Sequence, residues 1–577
     1  MARITSVLVS HLGYNSAAPS AVVVTSDEPG IEVGARLIRP STGFSWALAP
    51  ATTETVDAWS TGHYARIELG DGHDAGDYLV EAWPTGRSGT ADEERSVRSA
   101  PFAIGHELLQ GRTLSDVLYY FKSVRSSGEI ERKDAAALRW GDDSGETVDA
   151  RGGWLDASGD TSKFLSHLTY TPMMSPQQIP LCTWAFLDAR DRLHATHPRF
   201  HAILSARLRD EALWGADFLV RFRHPDGYFY TGIFDALTKQ LEERVVTAPL
   251  PECVRTDRYQ ASYRAGGGLA IAALARASRE SEHGDFSQSA YLDAARTAFL
   301  DLEKNNLLYL HGLAESISDD YCALLAASEL ALAERDPRYT AAAERRAAAL
   351  IARYVPGTDG QGHFIGYEDG RPFFHAAEPG MPVIALLRFA EALPDSPLAA
   401  SARELAVRAM RDVADRSDAV ANPFGYPRQH VKPNSSAAID AFFFPHDNDT
   451  GYWWQGENAG IASLSFAAAL CAGLPECDGA LRSRLLRMAA EPLHWILGQN
   501  PFDVCMLQGR GRNNVEYSVE FPNVPGGIVN GITSGLSDEH DIGFLPAGTD
   551  HHDDSWRWAE QWIPHTGWFV LAMSALP

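Results

Sequence analysis

Positive charge is in short supply: 50 Lys and Arg stand against 75 Asp and Glu in 577 residues, a formal net charge of −25. Such a surface repels phosphate backbones and anionic lipid, which argues against nucleic acid or a membrane surface as a partner. No run of about 18 apolar residues occurs, so no membrane-spanning helix is expected. The opening MARITSVLVSHLGY lacks the apolar core and small-residue cleavage site of a signal peptide, and the expected compartment is the cytoplasm. Cysteine is scarce as well. Cys182, Cys253, Cys322, Cys471, Cys477 and Cys505 have no CxxC or zinc-type spacing. Several lie in apolar helical settings such as DDYCALLAASELALA, and they read as reduced core residues. A phosphate cradle is missing too: YRAGGGLAIAAL has a glycine run opening a helix, but no preceding strand and no P-loop lysine, so close helix packing is expected.

What is present is the balance of a folded protein, 45% hydrophobic and 22% charged residues, in a chain long enough for two domains. From Ile4 to about Ile104 the pattern is short and β-like: SVLVSHLGY, AVVVTS, GARLIRP, FSWALAP, HYARIELG, GDYLVEAW and SAPFAIG, separated by turn residues. About seven such strands predict a small β-sandwich over residues 1–105. The remainder, 106–577, turns helical, from TLSDVLYYFKSV through PLCTWAFLDARDRL to HTGWFVLAMSAL, roughly a dozen helices in all. Their Ala-rich faces and long aromatic connections suggest six helical hairpins closed into an α/α toroid. A stacked solenoid competes, but no fixed-length repeat supports it.

The chemistry concentrates in a few loops. RGGWLDASGD sets Asp156 and Asp160 with three residues between them, and TDHHDDSWRWAEQWIPHTGW carries Glu560 among tryptophans. Glycosidic cleavage needs one carboxylic acid for the leaving oxygen and one carboxylate for water or for the sugar. Two neighbouring aspartates can hold and deprotonate a water, and an aromatic setting raises a carboxyl pKa toward the working pH, which suits Glu560 to the acid role. The competing view of the aspartate pair is an Asx-turn with Asp160 capping a helix that starts at TSKFL. Trp154, Tyr452, Trp453, Trp454, Trp558 and Trp562 are candidate sugar platforms. Arg428, His430, His446, Asp447, Gln455, Glu457 and His565 are candidate hydroxyl or amine contacts. HHDD (His551 to Asp554) has metal-ligand residue types, but four adjacent residues need a tight turn to face one ion. A calcium site of loop aspartates stays open there, and no metal or cofactor is expected for catalysis.

These residues resemble glycoside hydrolase family 9, the inverting cellulase family with an N-terminal immunoglobulin-like domain and an (α/α)6 barrel. VLVSHLGYNSAAPSAVVV is similar to the family's first strands, GGWLDASGD to its Gly-Gly-Trp-x-Asp-Ala-Gly-Asp motif, and LGQNPFDVCMLQGRG to its late Asn-Pro segment. The resemblance implies Asp160 as general base, Asp156 as its water-positioning partner and Glu560 as acid. Three features depart from the family pattern: the extra Ser158, RNNVEYSVEFPN where a His-His-Arg motif is usual, and Trp562 to His565 in place of Asp-Tyr-Asn-Ala. DASGDTSKFLSHL and HDNDTGYWWQGENAGIASL look similar to a bacterial exo-β-glucosaminidase branch, with Asp447, Asp449 and Glu457 available for an ammonium-bearing sugar. The expected function is an exo-β-glycosidase on short gluco- or glucosamino-oligosaccharides. A β-glucosidase or cellulase-type hydrolase and a non-catalytic sugar-binding barrel are the alternatives. The expected partner is the oligosaccharide, with a homodimer left open.

Overall fold

The computed structural model describes residues 3–85, 95–357, 360–518, 522–545 and 552–577. Among the described residues ten strands come first: β1 (Ile4–Leu8), β2 (Tyr14–Asn15), β3 (Ala21–Ser26), β4 (Glu32–Arg39), β5 (Phe44–Thr52), β6 (Glu54–Thr55), β7 (His63–Glu68), β8 (Gly76–Pro84), β9 (Val97–Arg98) and β10 (Phe102–Gly105). One sheet runs β1-β3-β7-β6, and the other β2-β10-β8-β4-β5 with β9 on β8. The run AVVVTS in β3 shows why a continuous apolar strand belongs here. Val22 and Val24 enter the core between the sheets, while Val23 on the other face joins the barrel's core. The barrel-facing side is further tied down by Trp59, which stacks on Phe443 at 5.9 Å, and by Arg66, whose Nη1 is 2.7 Å from Glu491.

The last sandwich strand ends at Gly105, and helices begin at Leu108. They are α1 (Leu108–Ser123), α2 (Gly128–Asp134), α3 (Ile179–Thr196), α4 (Pro198–Arg221), α5 (Gly268–Ala277), α6 (Gln288–Tyr309) and α7 (Ile317–Ala333). Then follow α8 (Pro337–Ala352), α9 (Met381–Ala392), α10 (Ala399–Asp418), α11 (Asn458–Ala472), α12 (Gly479–Ile496), α13 (His552–Ala559) and α14 (Ile563–Ala575). Setting aside the short α2 and α13, the packing is an (α/α)6 ring. The inner helices α3, α5, α7, α9, α11 and α14 contact one another in that order and close back from α14 to α3. Each has an outer partner, the last being α1 on α14, so the first helix of the ring completes the last hairpin. The closed ring rather than the solenoid is what the chain builds. No helix among the described residues is long and apolar enough to cross a membrane.

Inner helices are buried nearly all round, α14 from Ile563 through Ser574, because they touch neighbours on every side. Proline in the first turn starts α3, α4, α8, α9 and α14, where its missing N–H costs nothing. The glycine run packs as expected: a Cβ on Gly268 would stand 2.7 Å from the Cβ of Cys322 on α7. All six cysteines are free thiols, five of them buried.

Chain direction decides where the chemistry sits. Inner-to-outer connections are short, a single His197 between α3 and α4, whereas the long segments such as 222–267, 419–457 and 497–562 all lead into the N-termini of inner helices. The functional loops therefore collect at one end of the ring. At the other end the inner helices carry a buried ion network. Arg276 Nη1 (α5) lies 2.9 Å from Glu329 Oε1 (α7) and 3.0 Å from Asp188 Oδ1 (α3), and Arg388 Nε (α9) is 2.9 Å from Glu329 Oε1. Burial alone would raise the Glu329 carboxyl, but Arg388 and Arg276 hold it at about 2.

Candidate active site

The segment Arg151–Asp160 is held from below at both ends. Lys163 Nζ, fully buried, donates to Gly152 O at 2.9 Å and pairs with Asp134 at 2.7 Å. Arg244 bonds both oxygens of Asp134, at 2.8 and 2.9 Å, and donates to Thr161 O at 2.6 Å. Trp154 is the plug of this loop and no sugar platform. It is wholly buried against Phe121 and Phe186, and its Nε1 donates to Glu211 at 3.2 Å.

Asp160 does form the Asx-turn weighed above, its Oδ1 accepting from Ser162 N at 2.8 Å. The helix that turn would cap is absent, since Lys163–Phe164 is a strand. The other carboxylate oxygen has no partner within the turn, and Asp160 lines the cleft. Asp156, almost fully buried, accepts on Oδ1 from Trp562 Nε1 at 3.1 Å and from Gln178 Nε2. Gln178 is the residue that precedes α3.

Glu560 sits where α13 ends and an extended segment begins. Gln561 and Trp562 bridge Val529 and Ala157, and Ile563 N donates to Asp156 O at 3.1 Å. The acid segment thus lies alongside the aspartate loop, although the two are some 400 positions apart in sequence. Ser158 clamps them. Its N–H donates to Gln561 O at 2.8 Å, its Oγ accepts from Gln561 N at 2.8 Å, and the same hydroxyl donates to Asn523 Oδ1 at 3.1 Å.

Asp156, Asp160 and Glu560 line one cavity of about 390 Å³, within the usual size of a small-molecule site. Tyr452, Trp453, Gln455 and Trp562 share its lining, and Tyr452 stands half-exposed at the mouth. Gly456 lets YWWQGEN pass close to the Asn530 backbone: a Cβ there would come within 2.1 Å of Asn530 O. Burial raises all three carboxyls. The Asp160 charge raises Glu560 further, and Asp160 and Glu560 together raise Asp156. Three mutually repelling acids in one cleft cannot all ionise, so the site retains a proton where a simple carboxylate would have lost it.

Several expected contacts lie elsewhere. Trp558 is fully buried beneath Trp454, and Trp454 is covered by His446, stacked at 3.7 Å, and by the Arg557 guanidinium at 4.2 Å. His446 Nε2 is bonded to Ser534 Oγ at 2.8 Å, and Asp447 accepts from Ser435 N and Oγ at 2.7 and 2.6 Å. Glu457 is buried, accepts from Phe444 N at 2.7 Å, and is pushed up to about 8 by burial. Arg428 donates to Arg416 O and Asp440 O, and His430 bonds Asp440, beside a separate small cavity. His565 is buried behind Asn530. Asp449 is ion-paired with Arg371. Their polar groups are consumed by the loops themselves. Of HHDD, His551 lies outside the described residues, and among the described residues no cluster of three His, Cys, Asp or Glu could hold a metal.

The cleft also contains residues the sequence reading missed: His167, Leu237, Lys239, Tyr517 and Trp556. Trp556 was within reach, since it precedes Glu560 by four positions and helical spacing puts the two on one face, whereas Trp558 at two positions points away. His167 Nδ1 stands 3.7 Å from Asp156 Oδ2, and burial takes its pKa down to about 3, so it faces the site as a neutral ring.

Residues 111–520 match the sequence profile of glycosyl hydrolase family 9. No curated protein matches the chain. Among solved structures, a metagenome-derived glycoside hydrolase family 9 endoglucanase superposes with TM-score 0.62 at 17% identity, covering 100% of this chain and 99% of its own. A Bacteroides ovatus GH9 protein gives 0.63 at 18%, covering 99% and 98%. An endoglucanase of the termite Nasutitermes takasagoensis gives 0.51 at 16%, covering 81% of this chain and 98% of that one. At such identities the likeness is one of fold.

Proposed function

This chain belongs to glycosyl hydrolase family 9, a glycoside hydrolase, and from that premise we propose that it is an inverting exo-β-glycosidase of short β-linked gluco-oligosaccharides. The observation that carries the proposal is the convergence of three carboxyl groups, two on one loop and one on a distant segment, in a single aromatic-lined cleft. Asp156 and Asp160 hold a water. As it attacks the anomeric carbon, the water gives one proton to Asp160. The bond to the leaving oxygen breaks, and that oxygen takes the proton of Glu560. Tyr452, Trp453 and Trp562 offer the sugar ring faces, and Gln455 a polar contact. No metal takes part in this scheme.

A glucosaminidase has less support, because Asp447, Asp449 and Glu457 are engaged away from the cleft. An ammonium-bearing sugar would meet only the catalytic acids. An endo-acting glucan hydrolase is the second reading, favoured by the endoglucanases among the structural relatives. Cytoplasmic action on imported oligosaccharides is part of the proposal, and the six free thiols agree with it.

The test is hydrolysis of cello- and chito-oligosaccharides and glucosamine oligomers, with the first-formed anomer followed by NMR. An α-anomer from a cello-oligosaccharide, released one unit at a time, is expected. A β-anomer contradicts direct attack by water, and release of internal fragments contradicts exo action.

A further inference from the structure

Behind the acid lies a pair of residues that never reach the cleft. His565, in the first turn of α14, is 1% exposed. Its Nδ1 is 2.7 Å from the backbone N–H of Ala459, which can only donate, so Nδ1 is the bare nitrogen. Burial keeps the ring neutral, with a pKa of about 3, and its one proton is therefore on Nε2. Nε2 lies 2.9 Å from Asn530 Oδ1, which accepts it. That bond decides which way the Asn530 amide faces. Its Nδ2 then meets Trp556 O at 2.6 Å, Gln455 Oε1 at 3.0 Å and Glu560 Oε2 at 3.4 Å. Flipped, the amide would set an oxygen against three oxygens and a proton against the His565 proton.

We infer that His565 and Asn530 are positioning residues for the acid: the imidazole locks the amide so that its N–H faces Glu560 and receives the negative charge left when the proton departs. This rests on Glu560 being the acid. The arrangement belongs to this chain's departure from the family pattern, where His565 lies in the replaced segment after the acid. Other groups bear on the same carboxyl. Asp156 and Asp160 on the aspartate loop and Tyr120 on α1 are close enough to interact electrostatically. His167, Lys239, Tyr452 and Tyr517 line the cleft around it. Among these, the Asn530 N–H favours the ionised form.

The experiment uses the full chain and two probes, 4-methoxyphenyl and 2,4-dinitrophenyl β-glucoside, the second of which needs no acid to leave. Asn530→Ala, Asn530→Asp and His565→Asn are expected to move the basic limb of the kcat/KM profile on the methoxyphenyl substrate upward by about one unit. They should lower its kcat about tenfold and leave the dinitrophenyl rate unchanged. His565→Gln, which keeps a donor toward Asn530 but no acceptor for Ala459, should retain the wild-type limb. A merely structural role reverses this pattern: His565→Asn, which keeps the acceptor, behaves as wild type, and His565→Gln loses thermal stability. That reversal, or an unmoved limb in both Asn530 variants, overturns the inference. Glu560→Gln is the separate control. If it keeps full activity on the methoxyphenyl substrate, the assignment of the acid fails rather than that of the pair.

Discussion

Two groups of buried acids lie at opposite ends of the ring of inner helices and behave oppositely. At the end of the short connections, Asp188 and Glu329 are surrounded by Arg192, Arg276 and Arg388 and stay below the usual carboxylate range. At the end of the long loops, Asp156, Glu560, Glu378 and Glu457 are just as buried but have neutral donors for company: Trp562 and Gln178, Asn530, Tyr321, and the N–H of Phe444. All four are raised. Burial is common to both groups, so the counter-charge decides the direction. At one end acids hold helices together, and at the other these four keep their protons to higher pH.

The difference can be broken at either end. The largest effect expected is from Asp160→Ala or Glu560→Gln, each lowering kcat on the best oligosaccharide by roughly 10³-fold while leaving urea unfolding close to wild type. Comparable activity in both variants would remove the catalytic half of the comparison. Next is Glu329→Ala, which leaves Arg276 with Asp188 and Asp191 and Arg388 with Glu391 alone, and should cost about 3 kcal/mol in denaturant unfolding, with KM unchanged in whatever protein folds. Ser158→Ala removes the hydroxyl that bonds Gln561 and Asn523. About a tenfold loss in kcat is expected, with Ser158→Thr nearer wild type, because the spacing of acid and base then loosens.

The smallest effect concerns pH. Glu378 and Glu457 have folded-state values of about 8 against 4.5 when unfolded. Their stabilising contribution is complete below about pH 4.5 and is lost as pH rises through about 8. Glu378→Gln or Glu457→Gln should therefore flatten the fall of Tm between pH 5 and 9. In a chain this long the change is only a few degrees. A fall that stays as steep in both variants would mean these acids do not carry it.

The dozen helices and the sandwich strands were legible for two reasons: TLSDVLYYFKSV, nearly all in α1, has one buried face, and PVIALLRFAEAL in α9 and HTGWFVLAMSAL in α14, each one residue past the helix end, are apolar runs too long for strands. Asp156, Asp160 and Glu560 could be picked out because acids among glycine and tryptophan have no structural need to be there. The sugar contacts were less legible. Aromatic runs in long loops also fill the space under those loops, and Trp154, Trp454 and Trp558 are spent that way. Polar loop residues satisfy loop backbone first, as Asp447 and Arg428 do. Asn530 had no local signal at all, since its meaning comes from a histidine 35 positions later.

Closing the ring has a consequence for how the molecule is made. α14 carries the acid segment at its start and packs between α3 and α11, with α1 behind it. The aspartate loop and Glu560 meet only when that last helix has docked. Contacts of such long sequence separation form late and slowly. A chain folded as far as α12 would lack Glu560 and also the Trp562, Gln561 and Arg557 contacts that hold the aspartate and aromatic loops, and would be unable to cut. Recovery of activity during refolding therefore times the docking of α14, separately from the far-UV signal of the helices already formed.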